Sequence, residues 1–185
     1  MPAAPAPTFA PLTVRALLGA VSAMGAVVLL SNILVQYPIN DWLTWGAFSY
    51  SLAFLVSNLI NRRFGPRAAR TVAWCGFALA VLLSIWLATP RIAAASCTAF
   101  IAAQLLDITV FDQLRHGRWW RAPIVATTCS ATLDTAIFWS IAFAGAALPW
   151  LSWAAGDLAV KLGMGVFLLA PFRALLWRGV PHANP

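Results

Sequence analysis

The side chains able to do chemistry in this chain are few, and they stand inside long apolar runs. Gln104 and Asp107 are three residues apart, Asp157 and Lys161 four apart, and Asn32 and Gln36 four apart, while Asn58 and Asp134 stand alone. Helical spacings of three and four put each pair on one face. Each pair would then line the bundle interior and not lipid, and an ionisable or amide side chain at membrane depth marks a candidate functional site. Lys161 after Asp157 predicts an ion pair, which either only ties helices together or balances buried charge beside a ligand. Asp134, with Ser130 and Phe138 one turn to either side, has no partner within its own helix. Phe54, Phe100 and Phe138 stand at helical positions and read first as core or lipid-facing side chains, with ring stacking the second role. Blander roles are open for the others. Asp107 could meet a loop arginine, Asn32, Gln36 and Asn58 could be interhelical hydrogen-bond donors, and Asp41 and Asp112 read as solvated ends.

Familiar catalytic arrangements are missing from the sequence. It has no GxxxxGK[ST] phosphate loop and no HExxH. The two histidines, His116 and His182, fall outside the apolar runs, which argues against an intramembrane zinc site or a Ser/His/Asp nucleophile. An aspartyl dyad of Asp107 and Asp134 would need the two carboxyls in contact. The expectation is a protein without catalytic residues, cofactor or metal. Cys75, Cys97 and Cys129 lie in apolar stretches without CxxC spacing and read as buried small apolar side chains, not as a disulfide.

What positions these residues follows from composition. The chain is 62% hydrophobic and 9% charged, against about 25% charged in soluble domains. Six apolar runs, near Leu12–Val35, Trp42–Leu59, Thr71–Ala88, Ile92–Phe111, Ile124–Gly145 and Leu151–Trp177, each suffice for a bilayer of roughly 30 Å. They are too long and too unalternating for barrel strands. The expected fold class is all-α: a polytopic membrane protein with six transmembrane helices in one bundle over 12–177. A disordered cytoplasmic segment at 1–11 precedes it and a cytoplasmic tail at 178–185 follows.

The net charge of +7 comes almost wholly from arginine. Arg15, Arg62, Arg63, Arg67, Arg70, Arg115, Arg118, Arg121, Arg173 and Arg178 fall on one side of such a bundle and Arg91 on the other. That bias places both termini in the cytoplasm and the chain in the bacterial inner membrane. Tryptophans near both ends of the runs read as interfacial belts; only Trp139 stands deep. Arginines confined to short loops make no basic face for nucleic acid. The expected partners are membrane lipid and a small-molecule substrate, with a homo-oligomer left open by the Gly19/Ala23 small-residue pair.

Several segments in order resemble the queuosine precursor transporters, a family of small bacterial membrane proteins. They are Leu34-Val-Gln-Tyr-Pro-Ile-Asn40, Leu43-Thr-Trp-Gly-Ala-Phe48, Phe54-Leu-Val-Ser-Asn58, Asn61-Arg-Arg-Phe-Gly65, Ala103-Gln-Leu-Leu-Asp107, Val110-Phe-Asp112, Arg118-Trp-Trp-Arg-Ala-Pro123, Asp134-Thr135, and Asp157 four before Lys161. The likeness covers roughly residues 30–176. It implies uptake of 7-cyano-7-deazaguanine and 7-aminomethyl-7-deazaguanine without a dedicated ATPase. It also implies an architecture similar to the substrate-binding subunits of vitamin importers. The substrate-binding set expected on that basis is Asp107 and Asp134 on the base, Gln104 and Asn58 completing its edge, Phe54 and Phe138 as platforms, and Lys161 as counter-charge. The chain departs from the family pattern at Asn58, where an acid is common, and at Ala131, where an amide is. The alternatives are a membrane subunit that binds another vitamin-like molecule, and a non-transport intramembrane enzyme or assembly factor.

Overall fold

The computed structural model of the protein describes residues 9–34, 37–40, 42–87, 89–147 and 149–177. Helix α1 (Val14–Leu34) leads to a two-stranded antiparallel hairpin, β1 (Pro38–Asn40) and β2 (Leu43–Thr44). Helices α2 (Gly46–Leu87), α3 (Pro90–Leu114), α4 (Arg121–Phe143), α5 (Trp150–Phe167) and α6 (Leu169–Trp177) follow. Among the described residues four helical segments are long and apolar enough to cross a membrane: Val14–Leu34, Pro90–Leu114, Arg121–Phe143 and Trp150–Leu176. The protein is a mostly helical, multi-pass membrane protein. Gln36, Asp41, Arg178, His182, most of the 1–11 segment and the 178–185 tail lie outside the described residues.

Three sequence expectations need correction. The connection expected between the second and third apolar runs is helical almost throughout, and only Gly65, at φ 86 and ψ 173, leaves helical geometry. Its cause is local. The ring of Pro66 disfavours the α conformation at the preceding residue, in keeping with its extended ψ, and glycine takes the positive φ without the cost a side chain would bring. Pro66 then opens the second limb of α2 as a first-turn proline, where its missing N–H is harmless. The last apolar run is likewise two helices, α5 and α6, meeting at Leu168. Pro171 has no N–H for the Phe167 carbonyl, which interrupts the ladder there. The fold is also not purely helical, since the β1–β2 hairpin folds against the bundle. Gly156 of α5 makes this possible, because a Cβ there would collide with the Trp42 carbonyl oxygen.

Helix ends are satisfied in ways the sequence explains. Thr89 caps α3 through its side chain, with Pro90 in the first turn. Arg91 donates to the carbonyls of Ile141 (2.8 Å) and Ala144 (2.6 Å), closing the far end of α4. The lone arginine of the arginine-poor end is therefore a helix cap. At the opposite end Arg173 lies over the Trp119 ring at 4.9 Å.

The helices pack through small residues. Ala53, Ala73, Ala95, Ala103, Ala126 and Ala131 are among the most buried side chains, as expected where backbones approach closely in a membrane bundle. Gly76 receives the Met24 side chain, and Gly25 faces Leu79. The thiols are less buried than the sequence suggested: Cys75 and Cys97 are half-buried, and Cys129 is exposed on the outer surface of the bundle. Apolar runs on α4 supply more side chains than its buried face needs, so a thiol can sit on the outer one. Gly156→Ala meets rigid backbone, whereas Gly76→Ala meets a flexible methionine. The expected loss is about 1–3 kcal/mol for Gly156→Ala, the range for overpacking, and less for Gly76→Ala, read from unfolding midpoints in mixed detergent micelles.

Candidate functional site

Lys161 on α5 joins two helices. Its ammonium lies 2.8 Å from Asp134 Oδ2 of α4 and also donates to Asp157 Oδ2 of its own helix. A third contact runs to Thr135 Oγ1 at 3.4 Å. Those three use all the protons an ammonium has. Asp134 Oδ1 accepts from the Tyr50 hydroxyl of α2 at 2.8 Å. Asp157 Oδ2 also accepts from Thr135 (2.9 Å) and from the Trp139 indole (3.4 Å). The group is buried, and with all three ionised it carries one net negative charge. Charges inside a bilayer are costly unless paired and hydrogen-bonded, and this arrangement supplies both.

Above this group lies a cavity of about 650 Å³ including its mouth, lined by Tyr50, Phe100, Asp134, Phe138, Trp139 and Lys161 among others. Its lining also includes Val28 and Asn32 late in α1, Thr44 of β2 and Ser96 early in α3. All of these belong to the arginine-poor half. The aromatic walls are mutually braced: Tyr50 meets Phe100 edge-on at 6.4 Å, and Phe138 meets Trp139 edge-on at 5.5 Å. Flat apolar walls beside a carboxylate suit a planar ligand with hydrogen-bonding edges.

Of the expected residues, the cavity brings together Asp134, Lys161 and Phe138. Phe54, Asn58, Gln104 and Asp107 lie deeper, toward the arginine-rich end. Phe54 is 1% exposed and packs with Ala103 and Ala131 in one buried cluster that also touches Tyr50. Asn58 donates to Thr127 Oγ1 at 3.2 Å. Gln104 and Asp107 are wholly buried, and neither side chain has a hydrogen-bond partner among the described residues. The Ser57 hydroxyl neighbours the Asp107 carboxyl without reaching hydrogen-bond geometry. Asp107 thus takes no loop arginine among the described residues, and Arg115 pairs with Asp112 at 2.6 Å. Asp112, expected to be simply solvated, is bound in that pair.

Beyond this deeper layer polar contacts tie α2 to the end of α3. Asn61 donates to the Ile108 carbonyl at 3.0 Å and accepts from Arg115 Nη2 at 2.5 Å, and Arg62 donates to the Arg115 carbonyl at 2.5 Å. Phe9 stacks on the Arg115 guanidinium at 4.7 Å.

Sequence reasoning missed Tyr50 and Trp139 as site residues. Tyr50 precedes Phe54 by four and Asn58 by eight, so helical spacing alone puts all three near one face. Trp139 carried a signal as the one tryptophan far from either end of an apolar run. Thr135, adjacent to Asp134, has an unpaired hydroxyl in sequence terms and finds its acid on the next helix.

Residues 44–176 match the family model described as "Putative vitamin uptake transporter". A protein of Escherichia coli K12 named "Queuosine precursor transporter" is 32% identical, with the match covering 81% of this chain and 81% of the relative. One of Haemophilus influenzae named "Probable queuosine precursor transporter" is 33% identical, covering 69% and 66%. A Bacillus subtilis protein with that same name is 28% identical, covering 55% and 57%. No solved structure matches.

Removing the shared cation strands two carboxylates, whereas removing one acid leaves the other paired. Lys161→Met should cost about 3–5 kcal/mol, the range for breaking a buried pair. Asp157→Asn should cost clearly less. Denaturation midpoints of the purified variants in micelles measure both.

Proposed function

Since this chain belongs to the vitamin uptake transporter family, we propose that it takes up 7-deazaguanine precursors of queuosine, 7-cyano-7-deazaguanine and 7-aminomethyl-7-deazaguanine, for tRNA queuosine synthesis or salvage. The observation that carries the proposal is the aromatic-walled cavity whose floor is the Asp134–Lys161–Asp157 group, in a chain whose relatives carry that name. A deazaguanine presents N1–H and an exocyclic amine side by side. The lone pairs that Tyr50 and Lys161 leave free on Asp134 can accept them. Phe138 provides a stacking face. Lys161, with its protons committed, acts as counter-charge and not as a ligand donor. Asp107, Gln104 and Asn58, with Phe54 above them, offer carboxylate and amide groups to the base deeper along its path, not while it sits on Asp134.

The proposed architecture has six crossings: α1, the two limbs of α2, α3, α4, and α5 with α6. Each α2 limb is long enough at about 1.5 Å per residue to approach the roughly 30 Å core. That layout resembles the substrate-binding subunits of vitamin importers. Both termini face the cytoplasm of the inner membrane, because Arg62, Arg63, Arg67, Arg70, Arg115, Arg118, Arg121 and Arg173 share one end. The cavity then opens outward. Exposed Leu18, Leu29, Leu82, Leu151 and Val166 face lipid. The domain assignment follows: a cytoplasmic 1–11 segment, a transmembrane unit over 12–177 and a cytoplasmic tail at 178–185.

The test is queuosine in tRNA, read as a shift on a boronate gel. The host would lack both precursor synthesis and its own transporter, and would be fed a trace of precursor. Wild type should restore the shift, and Asp134→Asn at equal membrane abundance should lose it. A wild-type protein present in the membrane with no shift would sink the proposal.

A further inference from the structure

The deeper layer is unusual for a buried interior. Native proteins satisfy 90% or more of their buried polar groups. Here Ser57 Oγ, Asn58 Oδ1, both polar atoms of Gln104, both oxygens of Asp107 and Ser130 Oγ all lack partners among the described residues. Their positions are concerted. Phe54, Ala103 and Ala131 form one buried cluster from α2, α3 and α4. Ser57 and Asn58 follow Phe54 by three and four residues, Gln104 and Asp107 follow Ala103 by one and four, and Ser130 precedes Ala131 by one. Since α4 runs opposite to α3 and to the first limb of α2, each offset points to the arginine-rich end. On the other side of the cluster stand Tyr50, Phe100 and Asp134, which line the cavity. The Phe54 cluster is therefore a septum between two polar layers. Thr127 of the deeper layer and Asp134 are seven residues apart on one helix, about 10 Å at 1.5 Å per residue. One fused bicyclic ring cannot reach both layers at once.

The unpartnered atoms are of both kinds. Asp107 and Asn58 Oδ1 accept, Gln104 Nε2 donates, and the serine hydroxyls do either. A metal ion would satisfy the oxygens and leave the amide nitrogen bare. A flat heterocycle with adjacent N–H donors beside a carbonyl satisfies the set. We propose that this layer is a second, occluded binding position for the same heterocycle, taken after the cavity, and that the Phe54 ring is what the ligand must displace to reach it. The inference rests on the uptake reading above. It divides the residues of that reading into an entry position (Asp134, Phe138) and a transit position (Asn58, Gln104, Asp107). Loss of the septum's ring would join the layers; enlargement would block passage while leaving the cavity intact.

Two readouts on the same variants separate the positions: equilibrium binding of radiolabelled 7-cyano-7-deazaguanine to the purified full-length protein in micelles, and uptake by cells at matched protein levels. Asp107→Asn and Phe54→Trp should bind nearly as wild type yet lose about tenfold or more of uptake, the scale of a lost hydrogen bond to a charged group. Retained binding by Phe54→Trp guards against a merely packing-defective variant, since Tyr50 of the cavity lies one turn away on the same helix. Asp134→Asn should lose both. If Asp107→Asn weakens binding as much as Asp134→Asn, there is one position and the proposal fails. If Asp107→Asn and Phe54→Trp both transport normally, the layer holds only water and the proposal fails. Wild-type protein that neither binds nor transports the precursor would instead overturn the uptake reading, and is recognisable because the failure appears before any substitution.

Discussion

One ammonium holds two carboxylates in the middle of this bundle, and most of the functional half of the molecule is arranged around it. Lys161 ties α5 to α4 through Asp134, and Asp134 in turn ties α4 to α2 through Tyr50. Three helices are thus keyed in register by groups that apolar surroundings would not tolerate unpaired. In water such contacts are worth little. At membrane depth the alternative is a bare charge, so the pairing selects one arrangement over slipped ones. The group also fixes where a ligand can sit. It makes the cavity floor polar and leaves the aromatic walls as the remaining recognition surface.

Everything around that floor favours close approach. Alanines and glycines line the helix contacts, so backbones come near without large side chains between them. The ladder is interrupted at only a few points, and each has a stated origin: Gly65 before Pro66, Leu168 ahead of Pro171, and the hairpin seated on Gly156. At the arginine-rich end Asn61, Arg62, Arg115 and Phe9 tie the helices together, whereas the other end has the cavity. The cavity lies on one side of the Phe54 cluster and the buried polar atoms of Ser57, Gln104 and Asp107 on the other.

The apolar runs, the Asp157–Lys161 contact and the depth of Gln104, Asp107 and Asp134 were legible because each depends on spacing within one helix. What was not legible depends on contacts between helices. Nothing local to Asp134 announces Lys161 or Tyr50, which lie 27 and 84 positions away. Nothing in the Gln104-x-x-Asp107 spacing says that the pair sits beneath a phenylalanine and not in the open cavity. The arginine-rich stretch after Asn58 read as a loop because it is polar. Yet arginine, alanine and leucine are good helix formers, and only the Gly65-Pro66 step interrupts the helix. The hairpin at 38–44 lacked a periodic signal because it is too short to have one.

The most direct measurement is thermal stabilisation of the purified protein by 7-cyano-7-deazaguanine. It would be made on wild type and on a variant whose buried group is neutral throughout, Lys161→Met with Asp134→Asn and Asp157→Asn. Replacing a buried ionic group by uncharged side chains of similar volume often leaves stability intact, so the triple variant serves as a folded control. A ligand at a hundred times its dissociation constant stabilises by about 2.7 kcal/mol. Expected is a clear rise in the melting temperature of wild type and none in the folded triple variant. Equal stabilisation of both would show that the precursor binds elsewhere, and would contradict the role given to the Lys161 group.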